Sequence, residues 1–246
     1  EGDFTMVIGY PGSTYQYVSS YHIDMIKNHI NPKMIDVRTR KIEIMDEAME
    51  SDPLIRIKYS AKKASISNSW KKWSGEILGL EKMETIERER EYEDRLSEWI
   101  YADSARTRKY GEILPAFREI YPVLGEYLLA NNFTGEIMNG IEAVAFAGNL
   151  RSLSGLVENK GNNEEINSLK KRLIENSVSF FKDYDSPTDR KLFIALMKIY
   201  GQTLDEKWQV PEYRTIRDAC KGDFEVLAEK LYGSSVFADE MKFRQF

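Results

Sequence analysis

Cysteine, histidine and long apolar runs are scarce in this chain of 246 residues, and each shortage closes off a class of protein. The single cysteine, Cys220, cannot form an internal disulfide, so cysteine usage leaves the compartment open. His22 and His29 lie seven residues apart with no Cys/His cluster around them, which gives no zinc-type spacing. Both are expected to be ordinary surface or boundary histidines, and no metal or cofactor is expected. No apolar stretch approaches the roughly 18 residues needed to cross a bilayer. Excess positive charge is missing too: 35 Lys and Arg against 40 Asp and Glu give a net charge of -5. No global basic field attracts nucleic acid, which is not an expected partner. The chain has no glycine-rich phosphate loop with its lysine, no HExxH and no GxSxG turn, so it offers no catalytic site of its own. It opens on Glu1, without an initiator methionine or a basic-then-apolar leader, and therefore reads as a processed product or a fragment.

With 42% hydrophobic and 30% charged residues, the chain has enough apolar material for one large or two modest cores. Phe4 to Ile8 is a β-prone run, and Tyr10-Pro11-Gly12-Ser13 fits a type II turn. No second convincing strand follows, so either the sheet of this strand lies elsewhere or the terminus is short and irregular. From Ser20 onward the pattern is helical. Ile23, Ile26 and Ile30 mark a short helix that Asn31-Pro32 should stop, and Ile35, Arg38, Ile42, Met45 and Met49 mark the next. Leu80 to Tyr110, with its alternating charges, predicts one long and partly solvated helix. Pro115 and Pro122 predict a short first piece or a kink in the segment from Glu112 to Ala130. Small residues at Ala145 and Gly148 suit close packing between Thr134 and Glu158, and Glu158 to Asn163 is the clearest loop. An amphipathic helix spans Ile166 to Tyr184. Asp185-Ser186-Pro187-Thr188-Asp189 then supplies an N-cap, a proline at the first helical position and an acid at the third for a helix over Lys191 to Tyr200. Asp223 should cap Phe224 to Tyr232, and Ser234 or Ser235 the last helix.

The segment Ser51 to Trp73 stands apart. Asp52 can cap its first turn and Pro53 is tolerated there. Leu54, Ile57, Ala61 and Ala64 form one stripe, and Tyr59, Ile66, Trp70 and Trp73 a second, so a central helix with two buried faces is expected. The next position on the first stripe is Asn68, an amide that cannot be left unpaired in a core. On physical grounds it either bonds a nearby loop or helix end and fixes packing register, or it meets something outside the fold.

Four short motifs bear on that choice: Gly9-Tyr10-Pro11-Gly12-Ser13-Thr14, Ser67-Asn68-Ser69-Trp70-Lys71-Lys72, Tyr184-Asp185-Ser186-Pro187-Thr188-Asp189-Arg190-Lys191, and Leu231-Tyr232-Gly233-Ser234-Ser235-Val236-Phe237. In this order and at these intervals the chain resembles the dipeptidyl-peptidase 7 and 11 family of bacterial serine exopeptidases, family forty-six of the serine peptidases. The resemblance implies an all-α fold: a multi-helix cap domain inserted in a chymotrypsin-like double β-barrel peptidase. Residues 1–18 would be the last strand and turn of the upstream barrel segment, and residues 19–246 the helical cap. The Ser-His-Asp triad would lie in the missing barrel, so neither His22 nor His29 is catalytic and this piece alone is inactive. Asn68 would bind the α-amino group of a peptide substrate. The resemblance also implies a periplasmic or cell-surface parent that is a homodimer. A stand-alone helical interaction module, binding along the charged helix near Trp99, is the competing expectation.

Overall fold

The computed structural model of the chain describes Phe4, Met6 and residues 15–245, and all the regular structure among them is helical. The strand expected from Phe4 to Ile8 and the turn from Tyr10 to Ser13 lie outside the described residues, apart from Phe4 and Met6, which are exposed and irregular.

The first helices join end to end. Helix α1 (Ser20–Asp24) runs into a π-helical turn (Met25–Ile30) and on into α2 (Asn31–Ser51). The stop expected at Asn31-Pro32 therefore does not occur. Proline breaks an α-helix because its ring meets the carbonyl four residues back and its nitrogen donates nothing. Here the turn before it is widened, with the Asn31 N–H reaching back five residues to the Ile26 carbonyl, and the chain passes Pro32 without ending.

Helix α3 (Pro53–Lys82) begins as the sequence dictates: the Asp52 side chain accepts from the Leu54 N–H at 2.7 Å and Pro53 occupies the first position. Asp52→Ala should therefore lower stability by about 1 kcal/mol in urea unfolding. The helix then continues beyond Trp73 to Lys82, with the Ser74 hydroxyl bonded back to the Trp70 carbonyl and open space beside Gly75. Helices α2 and α3 form an antiparallel hairpin. Trp70 Nε1 donates to Thr39 Oγ1 at 2.8 Å, the Arg38 guanidinium donates to the Ile66 carbonyl and stacks over Trp73, and Lys63 pairs with Asp46. The stripe of Tyr59, Ile66, Trp70 and Trp73 thus packs as expected. The other stripe does not: Leu54 is 66% and Ile57 76% exposed, and Ala61, Ala64 and Asn68 are exposed with them. A central α3 with two buried faces is corrected to a flanking helix with one, since no described element covers its outer side.

The segment from Leu80 to Tyr110 is also divided. Glu84, in the left-handed region at φ 49°, closes α3, and α4 (Thr85–Tyr101) and α5 (Ser104–Tyr110) follow. Asp103 accepts from the N–H groups of Ala105 and Arg106 and so starts a new helix where one long helix was expected. Conversely, α6 (Ile113–Gly140) runs unbroken through Pro122. Its Gly125 is needed for close approach: a Cβ there would come within 3.1 Å of Met25 and 3.3 Å of His29 on the π turn. The next stretch splits into α7 (Glu142–Gly148) and α8 (Arg151–Glu158), and after the expected loop come α9 (Asn163–Asp183) and α10 (Ser186–Thr203). Short helices complete the chain: a 3-10 turn (Glu206–Trp208), α11 (Pro211–Ala219), α12 (Phe224–Ser234) capped by Asp223, a second 3-10 turn (Val236–Ala238) capped by Ser235, and α13 (Glu240–Gln245).

The main core lies between α2, α6 and α10, where Val37, Ile44, Leu129, Phe133, Leu192 and Leu196 are fully buried. A second cluster of aromatic rings joins α7 and α9 to the C-terminus, with Phe146 stacked on Phe180 at 4.1 Å. A part-buried ion triad borders the main core. Glu136 of α6 accepts from Lys41 at 2.7 Å and from Arg38 at 2.9 Å, both on α2. Burial pushes the Glu136 carboxyl up, but the two cations outweigh it and hold the group below the usual carboxylate range.

Candidate functional site: an open amide groove on a braced helix

Asn68 lies on the outer side of α3, in a groove of about 770 Å³ walled on one side by Asp46, Met49 and Glu50 of α2. Its amide is exposed and makes no hydrogen bond to any described residue. Expected on a stripe made for packing, Asn68 instead belongs to a face left open by the described fold. An amide there can accept from a cationic donor through its carbonyl and donate through its NH2 group. Within the same groove Asp46 is already neutralised by Lys63, whereas Glu50, Arg56 and Lys71 make no ion pair among the described residues.

The inner side of α3 is held by polar contacts to α7, to the end of α9 and to the residue that follows it. Lys58 Nζ donates to the Tyr184 carbonyl, and Lys62 Nζ both pairs with Glu142 and donates to the Asp183 carbonyl, while sitting 4.2 Å from the Tyr59 ring. Cations at the C-terminal end of α9 complement the negative end of its dipole. Behind them stands Asp189, fully buried in the first turns of α10. Its Oδ1 accepts from the Glu142 N–H at 2.6 Å, and its Oδ2 from the Ala143 N–H at 3.0 Å, Tyr184 OH at 3.2 Å and Tyr232 OH at 2.8 Å. Asp189 therefore caps α7, a helix 46 residues upstream, and ties in α12. Burial pushes its carboxyl up to about 6, against the lowering effect of the Ala143 N–H. Burial also raises the Tyr59, Tyr184 and Tyr232 hydroxyls well above the ordinary tyrosine range, so all three remain donors.

This hub corrects the expectation for the Asp185 segment. Asp185 is the N-cap, accepting from the Thr188 N–H and hydroxyl, but Pro187 is the second helical residue and Asp189 the fourth. Asp189 stays in the first turn but is fully buried. One sequence signal points to it: Asp189, Leu192, Phe193 and Leu196 follow a helical stripe, so a carboxylate sits on a packing face.

Among the described residues neither imidazole hydrogen-bonds a serine; only the His22 backbone N–H donates to Ser19 Oγ. His22 meets the Tyr121 ring edge-on, and His29 Nε2 lies 3.4 Å from Glu126; burial holds both imidazoles below their ordinary pKa, neutral at pH 7. Cys220 is half-buried and free. Among the described residues no group of three or more His, Cys, Asp or Glu is placed to hold a metal, and no helix is long and apolar enough to cross a membrane.

A model of the peptidase S46 family matches residues 1–246. The chain belongs to the peptidase S46 family. The resemblance carried by the four sequence motifs is thereby borne out. Among curated S46 relatives, the Asp/Glu-specific dipeptidyl-peptidase of Capnocytophaga gingivalis is 33% identical over 236 residues, which is 96% of this chain and 32% of that protein. The dipeptidyl-peptidase 7 of Porphyromonas endodontalis is 31% identical over 245 residues, 98% of this chain and 29% of that protein. The chain thus spans about a third of the length of the S46 relatives it matches. The solved structure of Porphyromonas endodontalis DPP11 in complex with the dipeptide Arg-Glu shares the fold, with a TM-score of 0.73 at 20% identity over 97% of this chain and 34% of that one.

Proposed function

We propose that this chain is the helical domain of a serine dipeptidyl aminopeptidase, capping the active-site cleft and helping to hold the free N-terminus of a peptide substrate. The observation that carries the proposal is Asn68, an exposed amide without an internal partner, set in a groove on a helix braced from behind. The family membership supplies the reaction class, and the relatives' printed activities supply the dipeptidyl unit. On this proposal residues 1–18 complete a barrel segment and residues 19–246 form the cap. The nucleophile and its base come from the remainder of a periplasmic or cell-surface parent, itself a homodimer.

The physical logic is selection by charge. A carbonyl acceptor satisfied by an ammonium loses its partner when that amine is acylated, and a cleft closed beyond two residues converts internal cleavage into removal of dipeptides. The full-length protein should therefore release dipeptides from free-amine peptides and refuse the same peptides once N-acetylated, as read by mass spectrometry of the products. The 246-residue chain alone should release nothing. Internal cleavage, single-residue release or equal turnover of acetylated peptides would contradict the proposal.

A further inference from the structure

Two neighbours on α2 grip the turns of α3 that carry Asn68. The Arg38 guanidinium donates through Nη1 to the Ile66 carbonyl at 3.1 Å and lies 4.5 Å over the ring of Trp73, while Thr39 Oγ1 accepts from Trp70 Nε1 at 2.8 Å. Asn68 falls between these fixed points in sequence. At about 100° per residue Ile66, Trp70 and Trp73 lie within about 60° of one another on the helical wheel, and Asn68 stands nearly opposite them. The side that α2 holds therefore dictates where the amide on the other side points.

Arg38 is itself held. Its Nη2 donates to Glu136 of α6 at 2.9 Å, and Glu136 also accepts at 2.7 Å from Lys41, one turn further along α2. A planar fork with one arm on a carboxylate, another on a carbonyl and its face on an indole is confined to one placement, which a lysine ammonium, a point charge, is not. The bond to the Ile66 carbonyl fixes α3 along its axis, and the Trp73 ring fixes its roll. Side chains reach about 5 to 6 Å from a helix axis, so a roll of about 20° carries the Asn68 amide through roughly 2 Å. A misplacement of about 1 Å is enough to cost up to a hundredfold in rate.

We propose that Arg38 is a positioning residue for the amine-binding amide: it sets the roll of α3 and thereby where Asn68 meets the substrate. This rests on Asn68 holding the α-ammonium. Arg38 acts through the body of α3, from the face opposite Asn68.

The test uses the full-length protein, a free-amine peptide cut to a dipeptide, and steady-state kinetics well below the melting temperature. Arg38→Lys keeps the charge beside Glu136 but loses the fork, and should raise KM about tenfold with kcat within about twofold of wild type, the pattern of a weakened contact to bound substrate. Thr39→Val removes the acceptor of the Trp70 indole and should raise KM about threefold, which keeps the test decisive if Arg38→Lys does not fold. In an Asn68→Ala background neither substitution should move KM by more than about twofold, because no amide is left to misplace. Wild-type kinetics in both variants, a loss confined to kcat, or effects that multiply with that of Asn68→Ala overturn the assignment. If Asn68→Ala alone keeps the kinetics of the wild type, the role of Asn68 falls and that of Arg38 with it. If Asn68→Ala raises KM while Arg38→Lys and Thr39→Val do not, only the role of Arg38 falls.

Discussion

Asp189→Ala should destabilise the chain by about 3 to 5 kcal/mol, the largest loss expected from any single substitution outside the apolar core. The substitution removes one partner from a buried set and leaves the others stranded: two N–H groups of α7 and the hydroxyls of Tyr184 and Tyr232 all point at the missing oxygens. Each buried polar group without a partner costs about 1 to 3 kcal/mol, so even partial relaxation leaves a heavy loss. Urea unfolding followed by circular dichroism measures it; a loss under 1 kcal/mol would show that the hub is dispensable. The same carboxyl makes stability pH-dependent, and the sign is set by burial. Its folded value of about 6 lies above the ordinary 3.8, so the folded state holds the proton more tightly than the unfolded one. This contribution is complete below about pH 4 and is lost as pH rises through 6, a decline of about 3 kcal/mol. Asp189→Asn should lack that component, visible as a flatter stability profile between pH 4 and 6.

Asn68→Ala makes the opposite kind of change. In the full-length protein it should lower kcat/KM for free-amine dipeptidyl substrates by about ten- to a hundredfold, the worth of a hydrogen bond to a charged group. The melting temperature should barely move, because the Asn68 amide is exposed and bonds nothing within the described fold. Steady-state kinetics beside a thermal melt separates the two effects. Kinetics like the wild type would remove Asn68 from the site, and loss of folding would return it to the role of a packing amide.

The contrast between these two residues shows what periodicity can and cannot tell. Helical content, the Asp52 start of α3, the Asp223 cap and the loop before α9 were all legible, because each depends on residues a few positions apart, whereas Ser235 caps a 3-10 turn and the last helix starts after Asp239. Which stripe of α3 faces inward was not. Two apolar stripes look alike in sequence, and only α2 decides that Tyr59, Ile66, Trp70 and Trp73 go inside while Leu54 and Ile57 stay open. The role of Asp189 was hidden for the same reason: apart from Tyr184, its partners are 46 and 47 residues upstream and 43 downstream. The argument that drew attention to a polar residue on a packing stripe was sound, but it applied with more force to Asp189 than to Asn68. Pro32 misled in turn, since a proline stops a helix only where neighbouring turns cannot absorb the missing donor.

The π turn before Pro32 also acts on the helical wheel. One additional residue in a turn rotates everything after it by about 100° relative to what came before. The faces of residues 20–30 and 31–51 are thereby set independently: Ile23 and Met25 turn one way, while Arg38 and Lys41 are brought round to Glu136. The turn is a phase adjuster, and deleting a single residue from it would swing the whole α2–α3 hairpin, Asn68 included, about a quarter turn out of alignment with the rest of the bundle.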